Sequence, residues 1–162
     1  MAILEQTIEA IQPQDTAWRE RARERLSQLT MPFWALGRLM DLAVDLAGMT
    51  RSLDPPVARR AMVVMAGDHG VAEDGVSKYP REVTVQMVRN FAAGGAAINA
   101  VAGTAGARVV VVDMGVAGEL DGLAQAGRIL DRRVAPGTAS IARGPAMTRE
   151  QARQALEAGI GV

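Results

Sequence analysis

Apolar positions along this chain change their period several times, and each change marks an element. From Leu4 to Ile11 they support a short helix that Pro13 stops. Asp15 then suits the N-cap of a helix over Thr16 to Leu29, whose Trp18, Ala22, Leu26 and Leu29 recur on one face. Its arginines alternate with glutamates, the pattern of a solvated face. Thr30-Met31-Pro32 interrupts the period, and helical spacing resumes from Phe33 to Met49 through Leu36, Leu39, Met40, Ala43, Leu46 and Ala47. Asp54-Pro55-Pro56 excludes both helix and central strand, so Thr50 to Arg59 reads as a linker. The chain thus predicts a helical segment and linker over residues 1–54 and an α/β region over 55–162.

The second region opens with an unbroken apolar run, Ala61 to Ala66, which reads as a buried strand. It breaks into Gly67-Asp68-His69-Gly70, a polar loop between glycines at a strand's carboxyl end, where open parallel sheets bind ligands. A second polar turn, Ser77-Lys78-Tyr79-Pro80, follows, and Pro80 fits the first position of a helix carrying Val83, Met87, Val88, Phe91 and Ala92 on one face. Gly94-Gly95 ends or kinks that helix. The pair serves either close packing, the better-supported reading without a strand before it, or approach to a phosphate. After a helical run from Ala96 to Ala102 comes a second buried strand, Ala107 to Asp113, with four consecutive valines. Asp113 either orients a ligand hydroxyl or caps a loop. Ala117 to Gly127 reads as loop, Arg128 to Val134 as a third strand, and Ala135 to Ala146 as a structured loop. Thr148 and Gln151 form a capping box for a helix through Ala158. Strands alternating with helices predict a parallel sheet, and three strands with two open edges predict an incomplete one unless a partner or further chain completes it.

Composition narrows the chemistry. With Lys plus Arg equal to Asp plus Glu, at 18 each, no overall field attracts nucleic acid or an anionic membrane. No apolar stretch reaches membrane-spanning length. There is no cysteine and a single histidine, which argues against disulfides and a multi-histidine metal centre and for a reducing, cytoplasmic setting. No metal or cofactor is called for, and a small-molecule ligand is expected. No G-x-G-x-x-G leads from a strand into a helix, which disfavours a generic dinucleotide domain.

Ala66-Gly67-Asp68-His69-Gly70-Val71, Gly75-Val76-Ser77 and Tyr79-Pro80 with Val83-Thr84 occur in that order. Leu36-Gly37-Arg38-Leu39 precedes them, and Gly94 to Asn99, Val112-Asp113-Met114-Gly115-Val116 and Ile141 to Thr148 follow. Together these blocks resemble the nicotinate-nucleotide:dimethylbenzimidazole phosphoribosyltransferases of cobalamin nucleotide-loop assembly. The resemblance implies an α/β enzyme with a parallel, Rossmann-like sheet, flanking helices and a smaller helical domain, acting as a homodimer. It implies transfer of phosphoribose from nicotinate mononucleotide to a benzimidazole-type base, giving α-ribazole phosphate and nicotinate. It also places Tyr79 and Met87, with Gln86 adjacent, in the base pocket, and gives Asp68, His69, Gly70 and Pro80 a site-shaping role. Well-known members carry a serine at the position of Tyr79, a glutamine at that of Met87, and Lys-Pro-Pro-Gly-Ser where this chain has Met31-Pro32-Phe33-Trp34-Ala35. The family's general-base glutamate and its Gly-Glu-Met-Gly-Ile-Gly-Asn-Thr-Thr segment have no counterpart here. No catalytic residue is therefore assigned, and the chain reads as the N-terminal half of such an enzyme. The alternative expectation is a non-catalytic fragment or base-binding module of that fold.

Overall fold

The structure, a computed structural model, describes residues 3–162. The chain divides into two compact units, Thr7–Arg59 and a second combining Met1–Gln6 with Arg60–Val162.

The first unit is built on α2 (Thr16–Ser27) and α3 (Arg38–Thr50), with α1 (Ile3–Ala10) running into it. Asp15 caps α2 as its sequence position predicts, its carboxylate accepting the Trp18 N–H at 3.1 Å. Ala22 packs on Val44 and Ala47, with Leu26 and Trp34 against them. Arg19 crosses close to Gly48, where an added Cβ would lie 2.7 Å from Arg19 Cγ, and reaches on to Asp45. Here α3 starts at Arg38, five residues later than the spacing from Phe33 predicts. Trp34 and Gly37 take positive φ angles of 52° and 53°, which a right-handed helix cannot contain, so Phe33 to Gly37 form turns.

In the second unit β1 (Arg60–Gly67), β2 (Ala107–Gly115) and β3 (Leu130–Asp131) lie side by side in that order, all parallel. A 3-10 turn (Gly70–Asp74), α4 (Glu82–Ala93) and α5 (Ala97–Thr104) connect the first two strands. α6 (Asp121–Gln125) precedes β3, and α7 (Arg149–Ile160) follows it. Val88 of α4, Val111 of β2, Val116, Leu120 and Ile129 form a buried cluster, against which Ala66, Val85, Phe91 and Val109 pack. α7 lies close to Met65: a Cβ built on Gly159 would sit 3.7 Å from Met65 Cε.

β1 differs from its sequence expectation. The run Ala61 to Ala66 is not a buried strand, for Met62, Val63 and Met65 are 40%, 47% and 50% exposed. β1 is an edge strand with β2 on one side only, so it lacks the neighbours of a central parallel strand, whereas Val111 and Val112 of the central β2 are 4% and 0% exposed. β3 is also shorter than Arg128 to Val134. Its ladder ends at Asp131, although the Arg132 and Val134 N–H groups still reach the Asp113 and Met114 carbonyls at 2.9 and 3.1 Å. The stretch expected to be loop from Ala117 to Gly127 contains α6, and Pro80 lies just ahead of α4, whose cap is Arg81. Gly94, with φ of 83°, ends α4 as a left-handed cap, and Gly95 abuts the Asn90 side chain.

Caps at opposite ends of the chain are equally well formed. Thr148 accepts the Gln151 N–H at 3.1 Å while the Gln151 side chain accepts the Thr148 N–H at 2.9 Å. Asp15→Ala and Thr148→Ala should each cost about 1 kcal/mol, read as a lower urea midpoint with an unchanged denaturant slope.

Candidate active site

The candidate site begins where β1 and β2 stop. Their register slips between Ala66 and Gly67, so that Ala66 faces Asp113 but Gly67 faces Gly115, a bulge-like irregularity at the carboxyl end of the pair. Each strand delivers one buried carboxylate there, Asp68 at 5% and Asp113 at 1% exposure. Such charges persist only with donors around them. Asp113 has four: the Gly115 and Val116 N–H groups on Oδ1 at 3.0 and 2.8 Å, and Arg133 Nε and Nη2 on Oδ2 at 3.1 and 2.9 Å. Arg133 also donates to the Gly118 carbonyl at 3.1 Å, and its guanidinium pKa is raised, first by the hydrogen bond to Asp113. Asp68 accepts the Ala117 N–H at 2.8 Å, and its own N–H bonds Gly115 O at 2.9 Å. Of the two roles open to Asp113, the structure realises the loop cap.

Two loops lock onto this base. The Thr138 N–H donates to Asp68 O at 3.0 Å, and the Thr138 hydroxyl accepts the Gly70 N–H at 3.3 Å. Gly70 fits so tightly that a Cβ would come within 2.6 Å of Thr138 O and 2.7 Å of Ser140 N. Four residues on, Asp74 bonds both the Ser140 hydroxyl and Arg143, which hold its carboxyl below the ordinary value of 3.8, the Ser140 contact foremost. Arg81 binds Glu73 at 2.7 Å and packs against Gly137, while its Nε is buried without a hydrogen-bond partner among the described residues.

Clefts open on either side of the Gly67-Asp68-His69 ridge. One, of about 450 Å³, is walled by Val71, Val83, Met87, Phe91 and Tyr79 and is mostly apolar. The other, of about 660 Å³, runs between Gly67, Thr138, Met147 and the start of α7. Tyr79 and Met87 thus share the first cleft with Asp68, His69 and Pro80. Tyr79 is 72% exposed and Met87 38%. Gln86 instead lines an adjoining polar cleft of about 690 Å³, with Tyr79, Pro80, Arg81, Glu82 and Arg89. Gly70 lines none of these three and acts as the wedge between loops. His69 is exposed on the ridge and faces two clefts. Among the described residues no cluster of three or more metal-ligating side chains occurs, and no helix is long and apolar enough to cross a membrane.

Residues 11–162 match the family model described as Phosphoribosyltransferase. The chain belongs to that family. Over all 162 residues it is 61% identical to the nicotinate-nucleotide–dimethylbenzimidazole phosphoribosyltransferase of Syntrophotalea carbinolica and 54% identical to that of Desulfotalea psychrophila. In each case it spans 46% of the relative, about half its length. The crystal structure of the Thermus thermophilus enzyme of the same name superposes with a TM-score of 0.78 at 50% identity, covering 90% of this chain and 43% of that one. The α/β fold with a parallel sheet and flanking helices is therefore that of this phosphoribosyltransferase family.

Arg133, Thr138, Arg81 and Asp74 are not marked by any motif, and the block that contains Arg143 does not signal its pairing with Asp74. Their partners are remote in sequence, 20 residues away for Arg133 and 69 for Arg143. Arg133→Ala leaves a buried carboxylate short of its two side-chain donors and should cost about 3 kcal/mol in chemical denaturation. Asp74 supplies a pH test. Its folded pKa is depressed, so its stabilising contribution is complete above 3.8 and is lost as pH falls through the lower folded value. The urea midpoint of Asp74→Asn should therefore lie below that of the parent at neutral pH and converge on it in acid.

Proposed function

We propose that the chain forms the base-binding wall of an enzyme that transfers phosphoribose from nicotinate mononucleotide to dimethylbenzimidazole or a similar base, giving α-ribazole phosphate and nicotinate. The observation that carries this reading is the 61% identity, across every residue of the chain, to a protein bearing that name. The site is chemically suited to it. A nitrogen of the flat base attacks the anomeric carbon as nicotinate leaves, which needs an apolar slot for the ring and a fixed approach to the sugar. The cleft between Tyr79 and Met87 offers the slot, and the ridge beside it is held by buried hydrogen bonds. Asp68, His69, Gly70 and Pro80 shape this site. The amide of Gln86, in the adjoining polar cleft, is available to a polar edge of a ligand reaching round Tyr79.

A second reading, a base-binding module without turnover of its own, rests on one observation. Among the described residues the sole carboxylate walling the base cleft, Asp68, is buried and already bound to the Ala117 N–H. The cysteine-free, charge-balanced composition supports cytoplasmic residence, and the family resemblance supports a homodimer.

Incubating the chain with nicotinate mononucleotide and dimethylbenzimidazole, and quantifying nicotinate, separates the readings. Nicotinate release that requires both substrates establishes the transferase, whereas base binding without release establishes the module. Absence of both overturns the proposal. In fluorescence titration with dimethylbenzimidazole, Tyr79→Ala and Met87→Asp should each weaken binding about tenfold, the loss expected when a buried aromatic or apolar contact is removed.

A further inference from the structure

The wall of the base cleft that carries Tyr79 has little of its own to hold it in place. Among the described residues, the hydrogen bonds of the turn over residues 76–80 stay local. The Ser77 hydroxyl accepts the Tyr79 N–H at 3.2 Å and donates to the Tyr79 carbonyl at 3.0 Å, and the Pro80 carbonyl accepts the Val83 N–H at 3.2 Å. Arg81, the next residue, reaches other segments. Its Nη1 donates to Glu73 Oε1 in the 3-10 turn at 2.7 Å. On its other side the guanidinium meets the loop after β3, where a Cβ built on Gly137 would lie 2.7 Å from Arg81 Nη2 and 3.2 Å from the Asp68 carbonyl oxygen. Gly137 makes that room, and its φ of 91° is one that a side chain would strain.

Hydrogen bonding does not explain this placement, because Arg81 Nε is buried with no partner among the described residues, a costly state for a donor. Nor does stability, because the ion pair is partly exposed, at 27% for the Arg81 side chain and 61% for that of Glu73, and such pairs add little. What the arrangement supplies is geometry. Proline fixes its own φ at position 80, and Arg81 caps α4 with its backbone already helical at φ −61° and ψ −29°. Tyr79 just before it and Met87 on the helix after it therefore move with the anchored guanidinium. We infer that Arg81 is a positioning residue, which sets the width of the Tyr79–Met87 cleft by pinning that wall to Glu73 and to the Gly137 loop. On the function proposed above the ligand of that cleft is the base, while the pinning is a property of the free protein.

The test uses the single tyrosine of the chain as reporter, ring-labelled for NMR, together with fluorescence titration of dimethylbenzimidazole into the full 162-residue chain. Arg81→Gln should displace the Tyr79 ring resonances of the free protein and weaken base binding about tenfold, with the urea midpoint close to the parent's. Glu73→Gln should give part of the same change, and the double variant should bind no more weakly than Arg81→Gln alone, since both remove one contact. Arg81→Lys keeps a charge facing Glu73 but loses the fork that reaches Gly137, and should fall between the parent and Arg81→Gln. Arg108→Gln removes an exposed charge at the start of β2 that lines neither the base cleft nor its polar neighbour, and should leave affinity within about twofold. The inference is overturned if the ring resonances of R81Q match the parent's, if its base affinity equals that of a binding parent, if R81Q unfolds the whole chain, if the Arg81 and Glu73 losses add, or if R108Q weakens binding as much. The two proposals fail separately. A parent that does not bind the base, with the Tyr79 ring displaced in R81Q, keeps the positioning role and loses the proposed function; a parent that binds, with R81Q identical to it, does the reverse.

Discussion

Everything at the carboxyl end of the sheet depends on two buried carboxylates satisfying one loop. Asp68 and Asp113 end neighbouring strands, and between them they bind three successive N–H groups, those of Gly115, Val116 and Ala117. A carboxylate removed from water must find donors or lose its charge, and a tight loop must find acceptors for N–H groups that no strand pairs. Each solves the other's problem. Arg133 completes the arrangement by occupying the remaining oxygen of Asp113 from the β3 side. The consequence for chemistry is restrictive. With four donors around it, Asp113 is committed to holding the loop, so its role is structural.

The second level of organisation is the docking of residues 68–80 against residues 135–148. Gly70 allows backbone to touch backbone there, and the Asp74 contacts with Ser140 and Arg143 hold the far end of the 3-10 turn. Exposed ion pairs contribute little each, so the close approach at Gly70 and the hydrogen bonds around Thr138 carry more of the docking than the Asp74–Arg143 pair. The two loops consequently behave as one body with the strand ends. Both clefts borrow their shared wall from it.

How much of this is legible in the sequence follows from the range of each interaction. Asp15 and the Thr148–Gln151 box act across three residues and are readable directly, as is the valine-rich β2. The late start of α3 is not, because it depends on two left-handed residues, one of them a tryptophan where no side-chain pattern signals positive φ. β1 departs from expectation for a different reason. Its composition fits burial, but burial depends on strand order, and in the order β1-β2-β3 an apolar strand stands at the edge. At the candidate site, the motif blocks contain Asp68 and Tyr79, and the resemblance points to Met87 with Gln86 adjacent, two residues that line different clefts. Arg133 and Thr138 act through partners far along the chain, for which a single sequence holds no signal.

The distribution of ionisable groups also bears on what this wall can contribute to a displacement. The attacking base must lose a proton, and the acceptor of that proton has to lie within hydrogen-bond reach of the base. In the apolar cleft the one carboxylate among the described residues is Asp68, anchored at 2.8 Å to the Ala117 N–H and 5% exposed. That carboxylate is already committed to positioning the loop through the Ala117 N–H. The wall is better suited to holding reactants still. On the proposed function, rigid placement of the base would itself supply part of a rate enhancement, since the translational and rotational freedom of the reactants is lost on binding and not in the transition state. The buried carboxylates then matter through the loop they fix, and the exposed residues Tyr79, Met87 and His69 through what they touch.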